Sequence, residues 1–95
     1  MKISGNKPYT VKYLRHVRKK DITALPENIK TKIKKLIRER LALDPMNLGE
    51  PLRHSLKGHR RLRFSRYRIV YRINKSEHSM TITEIGHRST VYNHH

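Results

Sequence analysis

The sequence predicts an α+β domain in which two helices pack on one face of an antiparallel sheet, in the order β-α-α-β-β-β. Three observations lead to this class. A segment near the start alternates apolar and polar residues, the middle of the chain repeats apolar residues at helical spacing, and three more alternating segments follow. The 95 residues are enough for one small domain, 1–95, and leave no room for a second core.

The first element is predicted to be a strand. Between Tyr9 and Leu14 the pattern alternates, with Tyr9, Val11 and Tyr13 on one side. A weaker helical pattern follows over residues 15–25 and predicts the first helix.

The second helix has the clearest pattern in the chain. Pro26 fits its first position, where the missing N–H costs nothing. Asp44-Pro45 ends it, because a residue that precedes proline disfavours the helical region. Residues 46–58 are predicted to be a long connection. The apolar face of this helix consists of Ile29, Ile33, Leu36, Ile37 and Leu41.

Three strands complete the predicted sheet. They are Arg60–Phe64, Tyr67–Asn74 and Met80–Ile85, separated by short turns at residues 65–66 and 75–79. Consecutive strands with short turns form an antiparallel meander, and the first strand is expected to pair with it. With both helices on one face, the other face of the sheet stays open.

Positive charge is concentrated on this sheet. The chain has 23 Lys and Arg against 7 Asp and Glu, a net charge of +16. Apolar residues interrupt the basic run, so its charges lie on a folded surface, where a polyanion best offsets their repulsion. No acidic residue occurs between Glu50 and Glu77, a segment that carries Arg53, Lys57, Arg60, Arg61, Arg63, Arg66, Arg68 and Arg72.

Other chemistries are not favoured. The chain has no Cys, which excludes disulfides and Cys-based zinc sites, and its His spacing does not suit a metal. We therefore expect neither a metal nor another cofactor. One Phe and no Trp give little support for membrane binding. The polar start does not read as a signal peptide, so a cytoplasmic protein is expected.

Strand alternation places Arg61, Arg63 and Arg68 together on the open face. The guanidinium fork donates two parallel hydrogen bonds to phosphate, which makes these residues candidates for nucleic-acid binding. The alternative is a solvated strand face whose charges only keep the protein soluble.

Residues 86–95 form a tail that adds Arg88, Tyr92 and a terminal His94-His95 pair. Arginines with Tyr and His beside them suit metal-free RNA cleavage, in which the 2′-hydroxyl attacks the adjacent phosphate and two protons move. The terminal His pair could instead be a remnant of an expression tag.

Two stretches, LKGHRRLRFSRYRIVYRI and IGHRSTVY, resemble the RelE/ParE superfamily of bacterial toxins, the RelE-type mRNA endonucleases in particular. The resemblance covers nearly the whole chain. Its YRIVY strand is shared by the ribonuclease and gyrase-inhibitor branches, whereas the closing segment discriminates better between them. The resemblance implies a toxin that cuts mRNA in the ribosomal A site without a metal. It also implies an acidic RelB-like antitoxin as partner, with ribosomal RNA and mRNA as targets and no membrane.

The resemblance also implies roles for individual residues. Because arginine cannot give up a proton near neutral pH, proton transfer falls to Tyr92, His87 or the terminal His pair. The expected catalytic residues are Arg68, Arg88, Tyr92 and His94, and the expected RNA-binding residues are Arg61, Arg63, Arg60, Lys57 and His87.

Two other functions remain open at this stage. One is a ParE-like toxin that inhibits DNA gyrase and is not an enzyme, and the other is a plain RNA-binding domain.

Overall fold

A computed structural model describes residues 7–87, which form a five-stranded sheet with its helices on one side. No helix in this range is long and apolar enough to cross a membrane. The strands are β1 Thr10–Tyr13, β2 Glu50–Pro51, β3 His59–Phe64, β4 Tyr67–Asn74 and β5 Ser79–His87. The helices are α1 Glu27–Leu36 and α2 Pro45–Leu48, with π-helical turns at Val17–Asp21 and Ile37–Leu41 and a 3-10 turn at His54–Leu56.

The sheet confirms the predicted fold class. Its strand order is β1-β5-β4-β3-β2, and β3, β4 and β5 form the expected antiparallel meander. One detail differs, because β1 pairs with β5 in parallel. Parallel pairing needs a long crossover connection, which the helices and the meander between these two strands provide.

The core lies between the helices and the sheet. Ile33, Ile37 and Leu41 are at most 1% exposed, whereas Leu36 and Ile29 are only half-buried. The predicted apolar helix face is therefore correct in its centre and overstated at its margins. Residues from the sheet that pack in the same cluster are Ile69, Tyr71, Met80, Ile82 and Ile85.

The start of α1 also differs from the prediction by one position. Pro26 is the residue that caps α1, and the helix itself begins at Glu27. The preceding π-helical turn, Val17–Asp21, occupies the segment where the first helix was expected.

The segment predicted to be a long connection contains structure of its own. Pro45 takes the first position of α2, and the Asn47 side chain donates a hydrogen bond to the Asp44 carboxylate, 3.0 Å. β2 then adds a fifth strand, in which Glu50 pairs with Arg61. A two-residue strand is too short to produce an alternating pattern, so β2 could not be predicted from the sequence.

The β4–β5 pairing contains a β-bulge at Thr83. The Thr83 hydroxyl donates to the Val70 carbonyl, 3.2 Å, and the Asp21 carboxylate accepts the N–H of Ile85, 3.0 Å. The extra residue keeps Ile85 in the core and places Glu84 opposite Val70, on the face away from the helices.

Candidate nucleic-acid interface

Three arginines lie together on the sheet face that points away from the helices. Arg63 of β3 is directly opposite Arg68 of β4, and Arg61 is opposite Val70. We call Arg61, Arg63 and Arg68 the arginine face. Because directly opposite like charges repel each other, the fold holds Arg63 and Arg68 together at an energetic cost that an anionic ligand would offset.

The members of the arginine face differ strongly in exposure. Arg63 is exposed, the Arg61 side chain is 17% exposed, and Arg68 is 3% exposed. Arg68 Nη1 donates to the Tyr67 carbonyl, 3.3 Å, and Gly86, which has no side chain, is its partner in β5. Arg68 therefore offers a charge that is largely removed from water, where electrostatic interactions are stronger than at the surface.

Glu50 is a residue of this site that the sequence analysis missed. Arg61 Nη2 donates to Glu50 Oε1 at 2.6 Å. The hydrogen bond and the charge of Arg61 lower the pKa of the Glu50 carboxyl below its usual 4.5, and the charges of Arg63 and Arg68 add to this effect. Glu50 is thus an ionised carboxylate at neutral pH. In the sequence Glu50 is notable only as the last acidic residue before the basic run, and strand β2, which positions it, could not be predicted.

A second carboxylate faces the same side. The bulge at Thr83 places Glu84 opposite Val70, so that Arg61, Val70 and Glu84 follow each other across three strands. Glu84 is half-buried. The basic face of the sheet therefore carries two acidic side chains close to its arginines.

The other residues expected to bind RNA lie elsewhere. Arg60 points to the helix side, where its Nη2 donates to the carbonyls of Met46 and Gly49, 2.6 Å each. His87 also belongs to the helix side by strand alternation, and its ring lies edge-on to Tyr67 with centroids 5.8 Å apart. Lys57 is exposed in the turn before β3. The described structure thus brings Arg61, Arg63 and Arg68 together on the arginine face. The other three residues expected to bind RNA, Arg60, His87 and Lys57, lie apart from it.

Arg88, Tyr92 and His94 lie outside the described residues. Their expected roles in catalysis stay predictions.

A second surface lies on the helix side of the protein. It is a groove of about 750 Å³ beside β1, which we call the helix-side groove. The Arg18 guanidinium lies 5.4 Å from the centre of the Tyr13 ring within it, and burial raises the pKa of Tyr13 although the charges of Arg18 and Arg38 oppose that rise. Apolar and aromatic residues of the groove include Tyr9, Val11, Tyr13, Ile22 and Ile37, and its basic residues are Arg18, Lys30, Lys34 and Arg38.

Comparison with known protein families gives a match over most of the chain. Residues 12–92 match the family described as the ParE toxin of type II toxin–antitoxin systems, parDE. Toxin RelG of Mycobacterium tuberculosis is 32% identical over 85 residues, which are 90% of this chain and 97% of that protein. Toxin RelE of the same organism is 36% identical over 73 residues, 77% of this chain and 75% of that toxin.

Solved structures with the same fold include toxins and toxin–antitoxin complexes. In the RelBE2 toxin–antitoxin complex of Mycobacterium tuberculosis, one chain superposes with a TM-score of 0.81 at 31% identity, over 88% of this chain and 98% of that one. The intact Escherichia coli RelBE complex contains a chain with a TM-score of 0.71 at 17% identity, over 83% of this chain and 95% of that one. At that identity the second likeness concerns the fold alone.

Proposed function

This chain belongs to the ParE toxin family of type II toxin–antitoxin systems, and we propose that it is the ribonuclease kind of toxin, which cuts mRNA in the ribosomal A site. The whole chain, 1–95, would act as one domain in the cytoplasm, where translating ribosomes are found. The observation that carries this proposal is the arginine face with Glu50 at its edge. It offers phosphate-binding forks, a desolvated positive charge and a carboxylate on one surface.

The reaction needs no cofactor in this proposal. The 2′-oxygen forms a bond to phosphorus as its proton leaves for a base, and the bond between phosphorus and the 5′-oxygen breaks as that oxygen gains a proton. The products are a 2′,3′-cyclic phosphate and a 5′-hydroxyl. The protein must stabilise the extra negative charge on the phosphoryl oxygens and serve both proton transfers.

The described residues can be given distinct roles. Arg61 and Arg63 bind the phosphate backbone, and Arg68 stabilises the charge that develops on the attacked phosphate. Glu50 is ionised and can accept the proton of the 2′-hydroxyl, which arginine cannot do. The proposal retains Arg88 beside the leaving group, with Tyr92 and His94 as candidates for the second proton transfer.

Primer extension on mRNA that is being translated tests this function. We expect new 5′ ends within codons at the A site when ribosomes are present, and none with the same mRNA alone. A Glu50→Gln protein should bind programmed ribosomes like the parent and cut more slowly. Intact mRNA under translation would contradict the proposal.

A second candidate is a gyrase inhibitor, which the description of the matching family as ParE toxins favours. Inhibition of DNA supercoiling by the purified protein, without cleavage of translated mRNA, would support it. If the protein neither cuts mRNA nor inhibits supercoiling but retains salt-sensitive RNA binding, a plain RNA-binding domain is the better interpretation.

The partner we propose is an acidic RelB-like antitoxin that folds as a helix when it binds. The helix-side groove fits such a segment, because apolar residues and four basic residues line it together. A Lys34→Glu, Arg38→Glu double variant should bind the antitoxin less tightly in calorimetry. Lys35→Glu with Arg40→Glu is a matched control, since both residues are exposed and neither lines the groove. Equal affinities of the two variants would place the antitoxin elsewhere.

A further inference from the structure

Two side chains on the helix face of the sheet bind the backbone that leads into β2. Arg60 Nη2 donates to the carbonyls of Met46 and Gly49, at 2.6 Å each. The Tyr71 hydroxyl donates to the carbonyl of Pro45, 2.7 Å. Arg60 and Tyr71 are direct cross-strand partners, so the three bonds form one fixation point for the segment 45–49.

The contact at Gly49 is unusually close. A methyl group on its Cα would overlap the Tyr71 hydroxyl and lie 3.0 Å from the Arg61 carbonyl oxygen. The φ of Gly49 is −100°, a value open to any residue, so space rather than backbone freedom requires glycine here. The backbone of residue 49 therefore rests directly on the Tyr71 side chain.

This fixation point precedes the carboxylate of the arginine face. Gly49 is followed by Glu50, which pairs with Arg61 at 2.6 Å. β2 contains two residues, Glu50 and Pro51, and proline has no N–H to donate to the sheet. Beyond Pro51 the Leu52 N–H donates to the His59 carbonyl, 2.9 Å, whereas the side of β2 that precedes Glu50 is held by the bonds from Arg60 and Tyr71.

We propose that Arg60 and Tyr71 are positioning residues that hold Glu50 beside Arg61 at the edge of the arginine face, so that its carboxylate is in place for the cleavage step. This inference rests on the proposed ribonuclease function, and it gives Arg60 a different role from the RNA contact that the sequence suggested. The tyrosine is fully buried, and burial raises its pKa, with the hydrogen bond from Arg60 acting in the opposite direction. The hydroxyl therefore keeps its proton and stays a donor at neutral pH.

Tyr71→Phe is the sharpest variant, because it removes one hydroxyl and keeps the ring in the core. Tyr67→Phe is the matched control, on the same strand and the same face. Two quantities are measured: the titration of the Glu50 side-chain carboxyl by NMR, and the single-turnover cleavage rate on programmed ribosomes as a function of toxin concentration.

We expect Tyr71→Phe to move the Glu50 titration toward higher pH, because the bond from Arg61 that lowers the pKa becomes weaker. The maximal cleavage rate should fall on the order of 10- to 100-fold, as a misplacement of about 1 Å can cause, with the half-saturating concentration unchanged. Tyr67→Phe should change neither quantity. Gly49→Ala should cause the same loss of cleavage rate. The double variant with Tyr71→Phe should lose less than the two single variants together, because the hydroxyl that the new methyl group would overlap is then absent.

Other outcomes overturn the inference. An unchanged Glu50 titration, or a loss of rate no larger than the loss of folded protein, would show that Arg60 and Tyr71 serve stability alone. A changed titration with the parental rate would show that the position of Glu50 does not limit cleavage. If the parent protein cuts no mRNA under translation, the ribonuclease proposal fails. The NMR titration then still decides whether these residues hold Glu50.

Discussion

Replacing Arg68 with Ala is the most direct test of the arginine face. Arg68 and Arg63 are the same residue type in directly opposite positions, but Arg68 is 3% exposed and Arg63 is exposed. The pair therefore compares a buried and an exposed guanidinium on the same face of the sheet. Arg63→Ala serves as the matched variant.

The size of the effect follows from the surroundings of each charge. Two unit charges 4 Å apart interact by about 4 kcal/mol at an effective dielectric constant of about 20, and by about 1 kcal/mol in water. For charge that appears only in the transition state, these energies correspond to rate losses of roughly a thousandfold and roughly fivefold. We expect Arg68→Ala to approach the larger loss and Arg63→Ala the smaller one.

Single-turnover cleavage on programmed ribosomes, with binding measured in parallel, gives both quantities. Arg68→Ala should lower the maximal rate and leave ribosome affinity nearly unchanged, whereas Arg63→Ala should weaken binding and its salt dependence. Arg68→Lys keeps the charge without the fork and should lie between Ala and the parent. Equal losses in the two Ala variants, or a defect of Arg68→Ala confined to affinity, would refute the reasoning.

Three further predictions concern stability. Ile33 is 1% exposed, so Ile33→Ala should lower the free energy of unfolding by about 2–5 kcal/mol and the melting temperature by at least about 8 °C. Leu36 is only half-buried, so Leu36→Ala should cost clearly less. Equal losses in the two variants would show that α1 is docked differently. The pKa of Glu50 is lowered from 4.5, so the stability it contributes is present above that pH and disappears as the pH falls through the folded value. The difference in melting temperature between the parent and Glu50→Gln should therefore shrink in acid. The pKa values of Tyr13 and Tyr71 are raised from 10.0, so stability falls as the pH rises above that value and stops falling once the folded protein ionises as well, with a limiting slope of about 1.4 kcal/mol per pH unit for each tyrosine. Denaturant titrations should show a shallower alkaline loss in Tyr71→Phe.

The sequence predicted those parts of the fold that depend on periodicity. Alternation in β3 and β4 placed Arg61, Arg63 and Arg68 on one face, and the apolar spacing over α1 and the π-helical turn after it identified Ile33 and Ile37 as core residues. These patterns are local, so each can be read from neighbouring residues in the chain.

The remaining features depend on contacts between distant residues. The backbone before β2 is held by bonds from Arg60 and Tyr71, and no local pattern in the sequence indicates those bonds. The side on which Arg60 lies could be read from the alternation, because Arg60 and Leu62 are two residues apart in β3 and therefore share a face. Arg60 was nevertheless expected to bind RNA together with arginines of the opposite face. The burial of Arg68 was not predictable, because composition does not show how closely a charged side chain is covered.

The pairing of Glu50 with Arg61 gives a reason for a carboxylate within a basic surface. In the free protein Arg61 donates to Glu50 at 2.6 Å, and this bond is the main cause of the lowered pKa. A carboxylate with a lowered pKa is a weak base, which is unfavourable for accepting a proton. Under the proposed function, an RNA phosphate that binds the Arg61 fork would compete for the same donors, so Glu50 would lose its strongest partner as the substrate arrives. Its pKa should then rise toward 4.5, which makes it a better base at the moment when a 2′-hydroxyl lies beside it.

An NMR titration of Glu50 with a short oligonucleotide that lacks the attacking 2′-hydroxyl, and so cannot be cut, measures this shift directly. A Glu50 pKa that stays at its free value when the arginine face is saturated would mean that Arg61 keeps its carboxylate partner. In that case the proton must leave through another group.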